Sequence, residues 1–225
     1  MVNYNEIFGV DDSYKAPEKI MKILYKKDER EKLFMKLLEA NDYNVCFDWF
    51  HMYFQEEHAD RKNKKQDFTP ECVADLISKL AMTGAGNNGN YYEVCAGTGG
   101  LMIKHWDNYR KTMSPFRYKP SLHFAFVEEL SDRTIPFLLL NMMIRGMNGI
   151  VLHGDCLRRK YKNAYFIQNL TDNHLGFSSI TNIPHTEFWE KELAIKFISE
   201  DYIEHEELMD IETIGKILNI KKEVK

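Results

Sequence analysis

Glu93-Val94-Cys95-Ala96-Gly97-Thr98-Gly99-Gly100 is the stretch on which the fold turns. It lies where the run Tyr91-Tyr92-Glu93-Val94-Cys95 ends and a helical segment reaching about Arg110 begins. Glycines at such a junction let the backbone approach a bound nucleoside, and the first turn of the helix offers free N–H groups. Alone, a loop of this kind reads equally well as a structural turn, so its surroundings decide. Downstream come a strand-like run at 122–128, a helical one at 131–147 and a second strand-like run at 149–155. Strands alternating with helices of that length predict right-handed βαβ units on a parallel sheet, that is, an α/β, Rossmann-like core.

The strand ends strengthen that expectation. The second strand closes on Glu128-Glu129 and the third on Gly154-Asp155. A carboxylate at the tip of the second strand is placed to accept hydrogen bonds from both hydroxyls of a ribose, and an acid at the third tip faces the same crevice. Two acids at strand tips beside a Gly loop point to a nucleoside site more than to turn chemistry.

Outward from this core the chain divides into three expected parts: a helical region over 1–66, the core over 67–190 and a helical tail over 191–225. In the first, Pro17 suits a first helical turn, and Ile20, Ile23 and Leu24 form one apolar stripe, followed by Leu33, Phe34, Leu37 and Leu38. The aromatics Phe47, Trp49, Phe50, Tyr53 and Phe54 are expected in the core. Ahead of the Gly loop, Thr69 and Pro70 signal a helix start, with Val73, Leu76, Ile77 and Leu80 as its buried face. Residues 163–170 and 176–183 are strand-like, and the acidic stretch from Glu187 on is helical in pattern.

Composition narrows the function. With 44% hydrophobic residues over 225 positions the chain can bury one main core, and no run approaches the length of a membrane span, so a cytoplasmic protein without a membrane partner is expected. The net charge of −4 disfavours a free-standing nucleic-acid binder. Basic runs at Arg61, Lys62, Lys64 and Lys65 and at Arg158, Arg159, Lys160 and Lys162 read either as solvated loops or as contacts for the phosphates of a substrate strand. The four cysteines form no CxxC pair and are expected to be reduced and mostly buried, Cys95 among them. His51 and His58 with Glu56 and Glu57 lack zinc-type spacing and are expected to form a solvated face, so no metal site is expected.

Over 67–184 the sequence resembles gamma-class N6-adenine DNA methyltransferases, the modification subunits of type I restriction systems in particular. Phe68-Thr69-Pro70 resembles the segment that closes over the cofactor in that family, and 93–100 resembles its Asp-Pro-Ala-Cys-Gly-Thr-Gly-Gly, with Glu93 for Asp and Val94 for Pro. Glu129-Leu130-Ser131 resembles Glu-Ile-Asp, 140–146 its Met-Asn-Leu-Leu-Leu-His-Gly helix end, and Gly154-Asp155-Cys156-Leu157 its Gly-Asp-Thr-Leu. The resemblance implies S-adenosylmethionine as cofactor. It places Phe68, Thr69, Glu93, Cys95, Gly97, Gly99, Glu129 and Asp155 around it, with Glu129 on the ribose and Asp155 on the adenine.

Family members carry Asn-Pro-Pro followed by an aromatic residue. An Asn oxygen and a Pro carbonyl accept the two N–H bonds of adenine N6, localising its lone pair for attack on the methyl, while the ring stacks on the flipped-out base. The counterpart here is Asn182-Ile183-Pro184-His185, so Asn182, Pro184 and His185 are the expected catalytic residues, with Phe188 or Trp189 as further stacking candidates. The same four residues also read as an ordinary strand-to-loop turn. Residues 183–225 are too few for a target-recognition region, which implies a separate specificity or partner subunit if DNA is the substrate. Methyl transfer to adenine N6 in DNA, a cofactor-binding homologue that regulates a partner, and methylation of another substrate are the three functions that remain.

Overall fold

The computed structural model describes residues 2–57, 69–84, 89–199 and 202–207. Four helices come first: α1 (Tyr4–Phe8), α2 (Ala16–Leu24), α3 (Lys27–Ala40) and α4 (Phe50–Glu57). Their apolar stripes are buried as the spacing predicts, through Ile20 and Leu24 in α2 and Leu33, Phe34 and Leu37 in α3. Trp49, Phe50 and Phe54 are buried as well.

Helix α5 (Glu71–Gly84) departs from expectation. The predicted face is exposed, from 41% at Val73 and Ile77 to 58% at Leu76 and 61% at Leu80. The helix instead turns Ala74 and Ser78 inward against α6 (Gly100–Lys111), where Asn108 donates to the Ser78 hydroxyl at 3.0 Å and to Asp75 at 3.2 Å. Small side chains permit the close approach, and these polar pairs orient the helix more strongly than the aliphatic stripe does.

Strands β1 (Asn90–Val94), β2 (Phe124–Glu129), β3 (Asn148–Asp155), β4 (Lys160–Gln168) and β5 (Ser179–Asn182) lie side by side in chain order, and the short β6 (Lys196–Phe197) pairs with β4. β1, β2 and β3 are mutually parallel, as expected, while β4 and β5 are each antiparallel to the preceding strand. The β3–β4 hairpin is pinned by Gly154, where an added Cβ would stand 2.4 Å from both the Lys160 carbonyl oxygen and the Tyr161 Cα.

Both crossovers of the parallel block run in one direction with one hand, which puts α6 and α7 (Ile135–Ile144) on the same sheet face. All ten residues of α7 are buried, because the sheet packs on one side of it and the amino-terminal helices on the other. Phe137 is the hub, with ring centroids 5.8 Å from Phe8, 5.0 Å from Phe50 and 4.9 Å from Phe54. The amino-terminal helices thus share the main core with the sheet. The opposite face packs α8 (Glu187–Leu193) through Trp189 and Leu193 on Ile150, Leu152 and Phe166, whereas Tyr92 and Val94 on β1 stay exposed.

The expected helical tail is corrected over 194–199 and 202–207. Ala194, at φ +53°, ends α8, β6 follows, and 202–207 carries no regular structure. Glu190 explains the stop: it accepts from the Phe197 amide at 2.9 Å and from Lys196 Nζ at 2.8 Å, folding the chain back. Residues 208–225 lie outside the described residues.

Candidate nucleoside-binding crevice

The Gly loop stands where the sequence puts it, between β1 and α6 at the carboxyl end of the parallel block. It is built on three left-handed residues, Cys95 at φ +58°, Gly97 at +59° and Gly99 at +94°. For the non-glycine Cys95 that conformation costs about 1–2 kcal/mol, a strain of the kind that collects at ligand sites. A Cβ at Gly99 would press to 2.8 Å from Met102 Cε and 2.9 Å from Leu138 Cδ1. Gly99 gives α6 no side-chain cap, so that helix end is not closed by its own N-cap residue.

Glu129 holds the loop from the next strand. Its Oε2 accepts the Gly97 N–H at 2.7 Å, and its Oε1 accepts the Ser131 N–H at 2.8 Å. The residue is 5% exposed. Each carboxylate oxygen retains acceptor capacity beyond one backbone hydrogen bond, so this group can serve the loop and a ribose together.

Glu93 lies beside it on β1. Burial pushes its carboxyl up to about 7, with the Tyr91 hydroxyl bond at 2.8 Å opposing the shift and the charge of Glu129 adding to it. At the third tip Asp155 is half-buried, and its Oδ1 accepts the N–H groups of Leu157 and Arg158 at 3.0 Å each. Thr69 is exposed just ahead of α5, and Phe68 lies outside the described residues.

Cysteine burial is corrected. Cys95 and Cys72 are exposed and Cys46 and Cys156 are half-buried, because the left-handed turn at Cys95 carries its side chain off the sheet. Desolvation of the sulfur and then the neighbouring Cys156 push the Cys95 thiol up.

Glu128 serves the other face of the sheet. This buried carboxylate accepts from Tyr92 Oη at 2.8 Å, from Tyr161 Oη and from Arg159 Nη1 at 2.9 Å. Arg159 also donates to the carbonyls of Leu193 and Ala194. Of the second basic run, then, Arg159 is structural, Lys162 pairs with Asp132 and the exposed Arg158 lies 3.6 Å from Asp155, while Lys160 is exposed. The run 61–65 lies outside the described residues. Among the described residues no cluster of three His, Cys, Asp or Glu side chains is arranged to hold a metal ion.

A buried network under the loop joins two of the quoted segments, through Thr98 and through Asn141 and Arg145, to Asp48, which none of them includes. Asp48 accepts from the Thr98 hydroxyl, from Asn141 Nδ2 at 2.9 Å and from the Phe50 N–H at 3.0 Å. Asn141 also donates to the Thr98 carbonyl at 2.7 Å and accepts from Arg145 Nη1 at 2.7 Å. Arg145 reaches the Val45 and Phe47 carbonyls, and its guanidinium lies 4.8 Å over the Trp49 ring. Burial lowers Arg145 to about 10, against the opposing charge of Asp48. The available hint was the pair Asn141 and Arg145, one turn apart at the end of an otherwise apolar segment, since buried polar groups need partners.

The profile of the N-6 DNA Methylase family matches residues 44–210. The chain belongs to the N-6 DNA methylase family. No curated protein and no solved structure gives a significant match. In this N-6 DNA methylase the family match begins ahead of Asp48, so the network's segment at 45–50 belongs to the matched unit together with the Gly loop.

The expected catalytic residues are not brought to that loop. Asn182 ends β5, four strands from β1, on the order of 19 Å at about 4.8 Å per strand. It is 4% exposed; its Nδ2 donates to the Ile203 carbonyl at 2.8 Å and lies 2.9 Å from Tyr25 Oη, while its Oδ1 lies 3.1 Å from the same hydroxyl. Pro184 is half-buried. His185 stacks on Phe197 at 4.0 Å, its Nδ1 stands 3.2 Å from the Ser199 carbonyl, and burial lowers its pKa. Phe188 is exposed and Trp189 is buried under the sheet. Among the described residues no helix is long and apolar enough to cross a membrane.

Proposed function

We propose that this N-6 DNA methylase binds S-adenosylmethionine in the crevice at the carboxyl ends of β1, β2 and β3 and transfers its methyl to adenine N6 in DNA. The observation that carries the proposal is the joint held by Glu129, a buried carboxylate at the tip of β2 bonded to Gly97 of the loop. The donor set fits a nucleoside with a charged tail. Glu129 would take the ribose hydroxyls, Asp155 the adenine edge, and the loop around Gly97 and Gly99, with Glu93, Cys95 and Thr69 at its rim, the remainder. Bound there, the cofactor supplies an electrophilic methyl, and the chain's own task is to orient it and exclude water.

The acceptor side calls for a second component. To hold a base, Asn182 would have to exchange Tyr25 and Ile203 for the adenine amino group and come out from beneath 202–207. We therefore assign recognition of the DNA to a specificity or partner subunit, with Arg158 and Lys160 as phosphate contacts on this chain.

Isothermal titration of the purified protein with S-adenosylmethionine, beside Glu129→Ala, tests the pocket. Binding that weakens about a hundredfold in the variant supports it, and N6-methyladenine measured by mass spectrometry in DNA from expressing cells then tests the reaction. No binding to the folded wild type overturns the proposal, and binding without methylation in any DNA context overturns its second half.

A further inference from the structure

The sequence motifs leave Asp48 unmentioned, yet it bonds to the loop from outside the sheet. It precedes α4, and its two oxygens do different work. Oδ1 takes the Phe50 N–H and Asn141 Nδ2, which ties α4 to α7. Oδ2 takes the hydroxyl of Thr98, the residue between the two left-handed glycines of the loop. Thr98 is 1% exposed, and its carbonyl is held from the other side by Asn141. Asp48 also lies against the start of α6, where a Cβ on Gly100 would stand 3.8 Å from it.

Through these bonds the loop is clamped at two neighbouring residues from two directions: Gly97 from β2 by Glu129, and Thr98 from the amino-terminal segment by Asp48. A turn with three left-handed residues keeps its shape only when its surroundings over-determine it. We propose that Asp48 is a positioning residue of the cofactor loop, acting through the Thr98 hydroxyl to fix the backbone of 97–100 in its ligand-receiving conformation. The part of this inference that concerns affinity rests on the crevice being the cofactor pocket. The part that concerns the loop does not.

The two parts separate in one experiment on the full chain. Amide hydrogen exchange over 96–101 is measured without ligand, and the dissociation constant of S-adenosylhomocysteine by titration, in wild type, Asp48→Ala, Asp48→Asn, Thr98→Val, Thr98→Ser and the double variant Asp48→Ala/Thr98→Val. Loss of a charge-assisted hydrogen bond predicts loop exchange about tenfold faster and binding about tenfold weaker in Asp48→Ala and Thr98→Val. Thr98→Ser, which keeps the hydroxyl, behaves as wild type, and Asp48→Asn falls between. Because both residues act through one bond, the double variant is no worse than the weaker single. A purely structural role for Asp48 would give losses that add in full, with no difference between Ser and Val at position 98, and that result overturns the proposal. Unchanged loop exchange in folded Thr98→Val overturns it as well, even where Asp48→Ala fails to fold. Faster loop exchange in Asp48→Ala and Thr98→Val, with a wild type that binds no S-adenosylhomocysteine, sinks the cofactor reading and leaves the positioning role standing.

Discussion

Glu129 and Asn182 make an instructive pair. Each ends a strand of the same sheet, each is about 95% buried, and each was singled out by its place in the sequence. Glu129 spends its acceptors on the N–H groups of the loop beside which a ligand would lie. Asn182 spends donors and acceptor on Tyr25 and Ile203, which close over it. The carboxylate therefore holds the loop, while the amide locks down a strap. Two polar groups at strand tips of one sheet are thus separated by what their neighbours do with the polar atoms.

The strap is the first place to break this contrast. Residues 202–207 are anchored by Glu207, whose oxygens accept from Arg30 at 2.6 and 2.8 Å. Burial opposes the ionised Glu207, but Arg30 and then His205 hold its carboxyl below the usual range. Glu207→Ala leaves the 2%-exposed Arg30 without its counter-charge. The expected cost is about 3–5 kcal/mol in urea unfolding, since a partner removed from a buried pair strands the other charge. A cost of only about 1 kcal/mol, the scale of a surface pair, would show the strap loosely attached and Asn182 open to solvent part of the time.

A smaller effect is expected at Asn182 itself. Asn182→Ala removes partners from the Tyr25 hydroxyl and the Ile203 carbonyl, worth about 1–3 kcal/mol of stability. Affinity for S-adenosylmethionine should stay within about twofold of wild type, because Asn182 stands two strands, on the order of 10 Å, beyond β3, the last strand of the proposed crevice, and is buried beneath 202–207. Loss of methylation in a folded, cofactor-binding Asn182→Ala protein would erase the distinction between the two tips and return Asn182 to the reaction.

How much of this was legible in advance follows the range of each signal. The βαβ block was readable because its periodicities and its Gly loop are local, and so was the pair Glu128-Glu129 at a strand end, although the choice of Glu129 between them came from the resemblance of 129–131 to the family's Glu-Ile-Asp. The family match supports the same Rossmann-like reading. The antiparallel placement of β4 and β5 was not readable, since pairing order depends on contacts far apart in the chain. Asp48 was invisible for the same reason: its partners Thr98 and Asn141 lie 50 and 93 residues away. The stripe of α5 misled because Val73, Leu76, Ile77 and Leu80 carry a perfect helical period, yet the polar pairs of Asn108 with Asp75 and Ser78 set the rotation of the helix. Likewise the tail from Ala194 on is helical in composition, and Glu190 turns it back into a strand edge.

Glu93 sharpens the contrast from the crevice side, with the smallest expected effect. Its carboxyl is raised from 4.5 to about 7, chiefly by burial and further by the adjacent Glu129. The folded chain therefore keeps a proton on Glu93 that the unfolded chain has released, across the window between those values. Stability from this group falls as pH rises through the window and levels off above it. His123 works the other way: burial lowers it from 6.5 to about 3, so its contribution is lost as pH falls through that range. A wild-type stability curve mixes the two, and Glu93→Gln isolates one of them. The melting temperature of the variant should match that of wild type near pH 4.5, gain on it up to about pH 7, and keep a constant lead above that. A lead that does not change with pH would mean that Glu93 titrates as an ordinary surface acid. A lead that grows as expected means that Glu93 keeps most of its proton below about pH 7 and loses it above, so the charge of the crevice changes across that window. That is an arrangement the β5 tip cannot offer, because Asn182 carries no ionisable group.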